Sequence, residues 1–236
     1  MTFDLKTAAE AFLSNWTVVP ATMGLAMLIL ALAIIIGMFI ALIRIYRVPI
    51  LSKLATVYVS FMRGTPLIVL LFIVYFSLPD TVEFMGKLFG TAVDPNKVSP
   101  LYSVIITYSL YISAFQSENI KGALASVDKG QMEAAYSIGF KTSQALMRIV
   151  FPQALKVAVP NFCNAYIGAI KALSLAFTVG FVDILAKAKL NSALNFRYIE
   201  SYLAAALVYW MLCIALTRIF RKIEAGLKKN ETLSTR

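Results

Sequence analysis

Histidine is missing from the entire chain, and cysteine occurs only twice, as Cys163 and Cys213. A chain without imidazole runs no Ser-His-Asp or Cys-His relay and builds no histidine-ligated metal site. Both cysteines fall inside apolar runs without a pairing spacing, so they read as small packing residues, and neither a disulfide nor a metal site is expected. Acids are scarce as well. Asp and Glu number 12, and charged residues make up 14% of the chain, against roughly a quarter in an ordinary soluble domain. Those carboxylates fall mostly in polar connections, and there is no G-x-x-x-x-G-K-[ST] phosphate loop. No catalytic residue, resident cofactor or bound nucleotide is therefore expected, and the chain does not read as an enzyme.

What fills the chain instead is apolar: 60% hydrophobic residues and a mean hydropathy of +0.78. A membrane span needs about 20 such residues to cross about 30 Å of hydrocarbon. Five spans are expected, at about 18–43, 54–78, 101–117, 157–179 and 201–220, the second interrupted by Arg63 and Pro66. Only helices satisfy every backbone group within a lipid-facing segment, so the expected fold is an all-α integral membrane protein. The first run is too long for a signal core and ends in arginine, so it is expected to be retained. With no internal repeat, Gly/Ser linker or low-complexity tract, residues 1–236 read as one membrane domain.

The net charge of +10 follows the same logic. Arg44, Arg47 and Lys53 follow the first span; Lys121, Lys129, Lys141, Arg148 and Lys156 follow the third; Arg218, Arg221, Lys222, Lys228, Lys229 and Arg236 follow the fifth. The opposite side holds Lys6, Lys87, Lys97, Lys187, Lys189 and Arg197. Fourteen against six is the bias of a protein whose basic loops stay in the cytoplasm, which puts the N-terminus outside and the C-terminus inside. The positive charge reports orientation, and nucleic acid is not an expected partner.

One segment resists the bilayer. Residues 122–155, between the third and fourth spans, carry EAAYSIGFKTSQALMRIVFPQAL from Glu133 onward. Asp128 with Gln131 reads as a variant capping box opening a helix through Glu133, Ala134 and Ala135, and Gly139 ends it in the left-handed region. Thr142 then caps a second short helix bearing Leu146, Ile149 and Val150, which Pro152 ends. Each piece is about 12–16 Å long, too short to cross a membrane, and the alanine face suits a groove on another protein.

The spacing E-A-A, then glycine four residues later, then I-x-x-P, carried by Glu133, Ala134, Ala135, Gly139, Ile149 and Pro152, resembles the EAA loop of permease subunits in bacterial ATP-binding-cassette importers. Residues 58–79, with Arg63, Gly64, Thr65 and Pro66, and residues 114–135, with Glu118, are similar to the polar amino acid branch of that family. The SVDKGQMEAA stretch is nearest to permeases for cystine and related amino acids. Where the branch commonly shows K-[DN]-[ST]-S-L, this chain has KALSL, keeping Lys171, Ser174 and Leu175. The resemblance implies a bacterial plasma-membrane importer subunit whose loop is a coupling helix. It also implies a second permease subunit, an ATPase subunit that holds ATP and Mg²⁺, and an extracellular substrate-binding protein.

Ionisable and polar residues inside the spans mark either a pathway or bundle contacts. Asn161, Asn164, Lys171 and Ser174 are expected beside the substrate path. Arg63 to Pro66 read as a helix break in which Thr65 caps and Pro66 takes the first turn, and Arg63 and Glu118 are expected to hold the bundle, Glu118 being the nearest acid to Lys171. Two other readings remain at this point: a non-transporting scaffold or sensor that docks an ATPase, and an ion-driven transporter, which would need a second bundle.

Overall fold

The computed structural model describes residues 3–91 and 94–232, with side chains up to residue 226. Arg236 and the side chains of Lys228 and Lys229 lie outside the described residues. Every long element is an α-helix: α1 (Leu5–Trp16), α2 (Val19–Ile45), α3 (Leu51–Gly64), α4 (Leu67–Leu88), α5 (Pro100–Ala125), α6 (Lys129–Ser137), α7 (Thr142–Ala145), α8 (Phe151–Ala172), α9 (Ile184–Asn195) and α10 (Tyr198–Thr232). Four stretches are long and apolar enough to cross a membrane, namely Leu5–Ile45, Leu67–Leu88, Thr142–Val179 and Tyr198–Gly226.

The expected spans at 18–43, 101–117 and 201–220 each fall within one helix, α2, α5 and α10. The other two differ. The run 54–78 is two helices, because Thr65 (φ −106°, ψ 136°) and Pro66 (φ −60°, ψ 135°) are extended between α3 and α4. Proline disfavours the helical conformation in the residue before it, which accounts for the break at Thr65. Pro66 occupies the N-cap of α4, not its first turn, and no side chain caps that end. The run 157–179 is α8 continued by a 3₁₀ segment, Leu173–Val179, closed by Gly180 at φ +95°.

Two helices were not expected. α1 is amphipathic, begins on the Asp4 cap and packs on α9 and α10. The Thr7 hydroxyl (2.7 Å) and the Lys6 amide (2.9 Å) donate to the Asp4 carboxylate, and these bonds, the Thr7 one foremost, hold its pKa below the usual range. The Asp4 amide in turn donates to Glu200 Oε1 at 3.1 Å, fixing the start of α1 to the start of α10. α9 begins at Asp183, whose carboxylate accepts from the Ala186 amide at 2.9 Å.

α5 is the centre of the bundle. It packs against α2, α3, α4 and α8, yet it is not among the stretches apolar enough to cross a membrane. Its buried positions include Ser103, Thr107, Ser109, Ser113, Gln116 and Ser117. Most of α5 meets protein, so its polar side chains need no water: Ser113 and Ser117 donate to the Leu110 and Ala114 carbonyls of α5 itself, both at 2.8 Å, while the buried Thr107 and Ser109 hydroxyls have no partner among the described residues. Against it α2 presents Ala33, Gly37 and Ala41, all buried and four residues apart, the small-residue stripe that lets two helix backbones approach. A Cβ on Gly37 would lie 2.9 Å from the Ser113 carbonyl oxygen and 3.0 Å from the Ser117 amide nitrogen. The main apolar core, built around Ile29, Leu71, Tyr108, Ile170, Leu173, Ile184 and Val208, joins α2, α4, α5, α8, α9 and α10, and a smaller cluster of Ala123, Ala154 and Ala158 joins α5 to α8.

Candidate functional site

The helical loop after α5 is held by defined local chemistry. The Asp128 carboxylate caps α6 by accepting from the Gly130 amide at 2.7 Å. At the other end the Phe140 amide donates to the Ala135 carbonyl and the Gly139 amide to the Tyr136 carbonyl, both at 3.0 Å. That pair of bonds is a Schellman motif with Gly139, at φ +83°, in its left-handed position. The turn delivers α7, whose cap is Lys141, not Thr142: the Gln144 side chain accepts from the Lys141 amide at 2.9 Å.

Pro152 does not end the second helix. α7 runs through a π turn, Leu146–Val150, directly into α8, and Pro152 sits in the first turn of α8. Proline lacks a donor and crowds the preceding turn, and the wide π turn just before it relieves that crowding. The second helix of the loop is thus continuous with α8. Gln153 Nε2 donates to Gln131 Oε1 at 3.4 Å, tying α8 to α6. Ala135 and Ala145 are buried within this hairpin, and Ile149 is half-buried. Glu133, Ala134 and Gly139 are exposed together with Tyr136, Ile138 and Met147, giving a ridge of mixed apolar and acidic character.

Along α8, Asn161, Asn164, Gly168 and Lys171 recur at three- and four-residue spacing, and all four are exposed. They form one polar stripe on a span whose opposite side carries buried Ala158, Tyr166, Ala169 and Ile170. Asn161 Nδ2 donates to the Val157 carbonyl at 3.4 Å. The half-buried Ser174, just beyond α8 in the 3₁₀ segment, donates to the Lys171 carbonyl at 2.8 Å. Lys171 forms no salt bridge among the described residues, and the expected pairing with Glu118 is not made. Glu118 instead accepts from Arg44 at 2.5 Å, with the arginine side chain 12% exposed, joining α5 to α2. Arg63 stacks over the Phe115 ring at 5.5 Å and so ties α3 to α5.

Several polar anchors have no counterpart in the sequence reading. Tyr108, fully buried on α5, donates to the Ala172 carbonyl at 2.9 Å where α8 passes into the 3₁₀ segment. Asp183 is also fully buried; besides capping α9, it accepts from the Tyr209 hydroxyl of α10. Tyr58 of α3 donates to the Leu110 carbonyl at 2.8 Å and meets the Ser113 hydroxyl at 2.8 Å. Tyrosines inside apolar spans were the available signal, since a buried hydroxyl takes a partner. Partner identity depended on how the helices turn about their axes.

This arrangement, a multi-pass helical bundle with a helical loop at one end and a polar stripe on a spanning helix, is that of an integral membrane protein. The chain belongs to the family of binding-protein-dependent transport system inner membrane components, whose profile matches residues 33–229. It is a multi-pass protein of the bacterial inner membrane, in a family of permease subunits and not of enzymes. The L-cystine transport system permease protein TcyL of Bacillus subtilis strain 168 is 39% identical over 98% of this chain and 94% of that protein. The probable amino-acid ABC transporter permease protein PatM of Vibrio harveyi is 37% identical, covering 97% of this chain and 98% of its own. Among solved structures, a chain of an amino acid ABC transporter with histidines superposes with a TM-score of 0.80 at 25% identity, over 96% of this chain and 100% of that one.

Proposed function

We propose that the chain is the membrane-spanning subunit of an ATP-driven importer for a polar amino acid, with cystine the first solute to test. The observation that carries this reading is the exposed polar stripe Asn161, Asn164, Gly168 and Lys171 on α8. Amides and an ammonium facing hydrocarbon are disfavoured by several kcal/mol in total (roughly 2.5–3.5 kcal/mol for the lysine alone on insertion scales). The stripe is therefore covered by protein or lines an aqueous path, which calls for a second permease subunit facing it. Ser174 extends the same path beyond the end of α8. The hairpin that carries Glu133, Ala134, Ala135, Gly139, Ile149 and Pro152 is the coupling element: buried Ala135 and half-buried Ile149 hold it together, and its exposed ridge with Glu133, Ala134 and Gly139 docks into an ATPase subunit that binds ATP and Mg²⁺, while an extracellular binding protein delivers the solute.

The test is uptake into proteoliposomes holding the complete complex. Accumulation that needs ATP and the binding protein, and that unlabelled cystine inhibits, is the expected result. Asn164→Ala and Ser174→Ala should each raise the apparent KM several-fold, leaving assembly and basal ATP hydrolysis unchanged. No uptake by a fully assembled complex would favour a scaffold or sensor, and unaltered KM in both variants would remove the α8 stripe from the path.

The orientation that goes with this reading puts the α6–α7 loop in the cytoplasm and the segment around Asp94 outside. An impermeant thiol reagent added to intact cells should modify Asp94→Cys and spare Lys141→Cys, in a background lacking Cys163 and Cys213. The reverse labelling pattern would invert the topology and leave the loop unable to meet a cytoplasmic ATPase.

A further inference from the structure

At the end of the bundle where α2 turns into α3, a cavity of about 420 Å³ is lined by Arg44, Arg47, Ser52, Lys53, Thr56 and Lys121, with Val48 to Ile50 in its wall. The four basic side chains come from α2, the turn after it, α3 and α5. Arg44 is neutralised by Glu118. Among the described residues Arg47, Lys53 and Lys121 form no salt bridge, so three positive charges converge on one cavity without an acid. The backbone there is also unusual. Arg47 has φ +51° and Ile50 has φ +65°, and a β-branched residue in that region is an outlier. Strain of this kind persists where the surrounding fold fixes it and is concentrated at binding sites.

We propose that this cavity is a binding site for a phosphate group, with an anionic phospholipid headgroup as the occupant that the surroundings favour. The argument for lipid lies on the neighbouring face of α3. Leu51, Leu54, Val57 and Phe61 are all exposed and form an apolar stripe that starts at the cavity's rim. A phosphodiester seated among Arg47, Lys53 and Lys121 places its acyl chains along that stripe. Basic side chains that face a membrane surface attract anionic headgroups in this way, and a pocket between helices confers selectivity beyond the general surface field. A soluble phosphate satisfies the same three charges but not the apolar stripe. The site does not depend on which solute the protein carries.

The experiment titrates the purified full-length chain, in neutral detergent, with phosphatidylglycerol, phosphatidylcholine or inorganic phosphate, and counts retained ligand by native mass spectrometry. Phosphatidylglycerol should bind and phosphatidylcholine should not. The triple variant Arg47→Gln, Lys53→Gln, Lys121→Gln should bind it on the order of a hundredfold more weakly. A control removing the same charge elsewhere, Lys6→Gln, Lys87→Gln, Lys97→Gln, should bind like the parent. Failure of inorganic phosphate to displace the lipid assigns the site to a headgroup, whereas displacement with the same dependence on the three basic residues supports the phosphate site with a soluble source. Should the triple variant fold poorly, Ser52→Glu, which puts a negative charge in the cavity wall, must abolish binding by itself. Equal retention of both lipids, an unaffected triple variant, or an equal loss in the control overturns the proposal. So does expulsion of the lipid when the ATPase subunit is added, because the basic cavity then belongs to a protein interface.

Discussion

Gly37→Val should leave almost no folded protein after extraction from the membrane. The added Cβ would stand 2.9 Å from the Ser113 carbonyl oxygen, 3.0 Å from the Ser117 amide and 3.0 Å from Gln116 Cβ. Two of those three atoms are backbone, so no rotamer change relieves the contact and α2 must separate from α5. That separation loosens the stripe of Ala33, Gly37 and Ala41 and strains the Arg44–Glu118 bridge on the same interface. Overpacking costs about 1–3 kcal/mol where a core can adjust; here the interface of the central helix cannot, so the upper end of that range or beyond is expected. Gly37→Ala should lie between parent and valine variant. Gly24→Val on the same helix is the control, because nothing lies within 4 Å of a Cβ placed there. Thermal unfolding of the purified chain ranks the variants, and a Gly37→Val protein as stable as the Gly24→Val protein would show that α2 and α5 do not pack this closely.

Gly139→Val tests the loop and should do the opposite: keep the bundle and abolish transport. No atom lies within 4 Å of a Cβ at Gly139, so the harm comes from conformation alone. At φ +83° a left-handed residue with a Cβ is disfavoured by about 1–2 kcal/mol, and β-branching adds to that. The Schellman bonds from Phe140 to Ala135 and from Gly139 to Tyr136 are then given up, and α6 swings relative to α7. Because α7 is continuous with α8 through the π turn, this change of angle falls at the junction between the loop and the spanning helix. Solute uptake and substrate-stimulated ATP hydrolysis should fall together, by tenfold or more, while the amount of folded protein in the membrane stays near that of the parent. Gly139→Asn, which tolerates the left-handed region better, should restore part of both. Normal uptake by Gly139→Val would exclude this loop as the coupling element.

Much of this protein follows from local sequence. Hydropathy is a sum over neighbours along the chain, so the bilayer as solvent, the helical class and the places of α2 and α10 could be read directly. Caps are equally local: Asp128 and Gly139 mark the ends of α6 because their effect reaches only a few residues along the backbone. The break at Thr65 and Pro66 belongs to the same group.

Tertiary structure decided what depends on how helices rotate and tilt against one another. Hydropathy alone gives no sign that α5, which is not among the stretches apolar enough to cross a membrane, is central, because that placement rests on its packing against α2, α3, α4 and α8. Glu118 takes Arg44 and not Lys171 because the small stripe on α2 brings that helix against α5, and a charge pairs with the partner that packing leaves within reach. The buried carboxylate of Asp183 is held by a tyrosine 26 residues away, and Pro152 continues a helix because a π turn precedes it. Each of these is a matter of register between elements. A chain of apolar residues fixes which segments leave water, but only the close approach of particular backbones fixes which of their few polar groups meet.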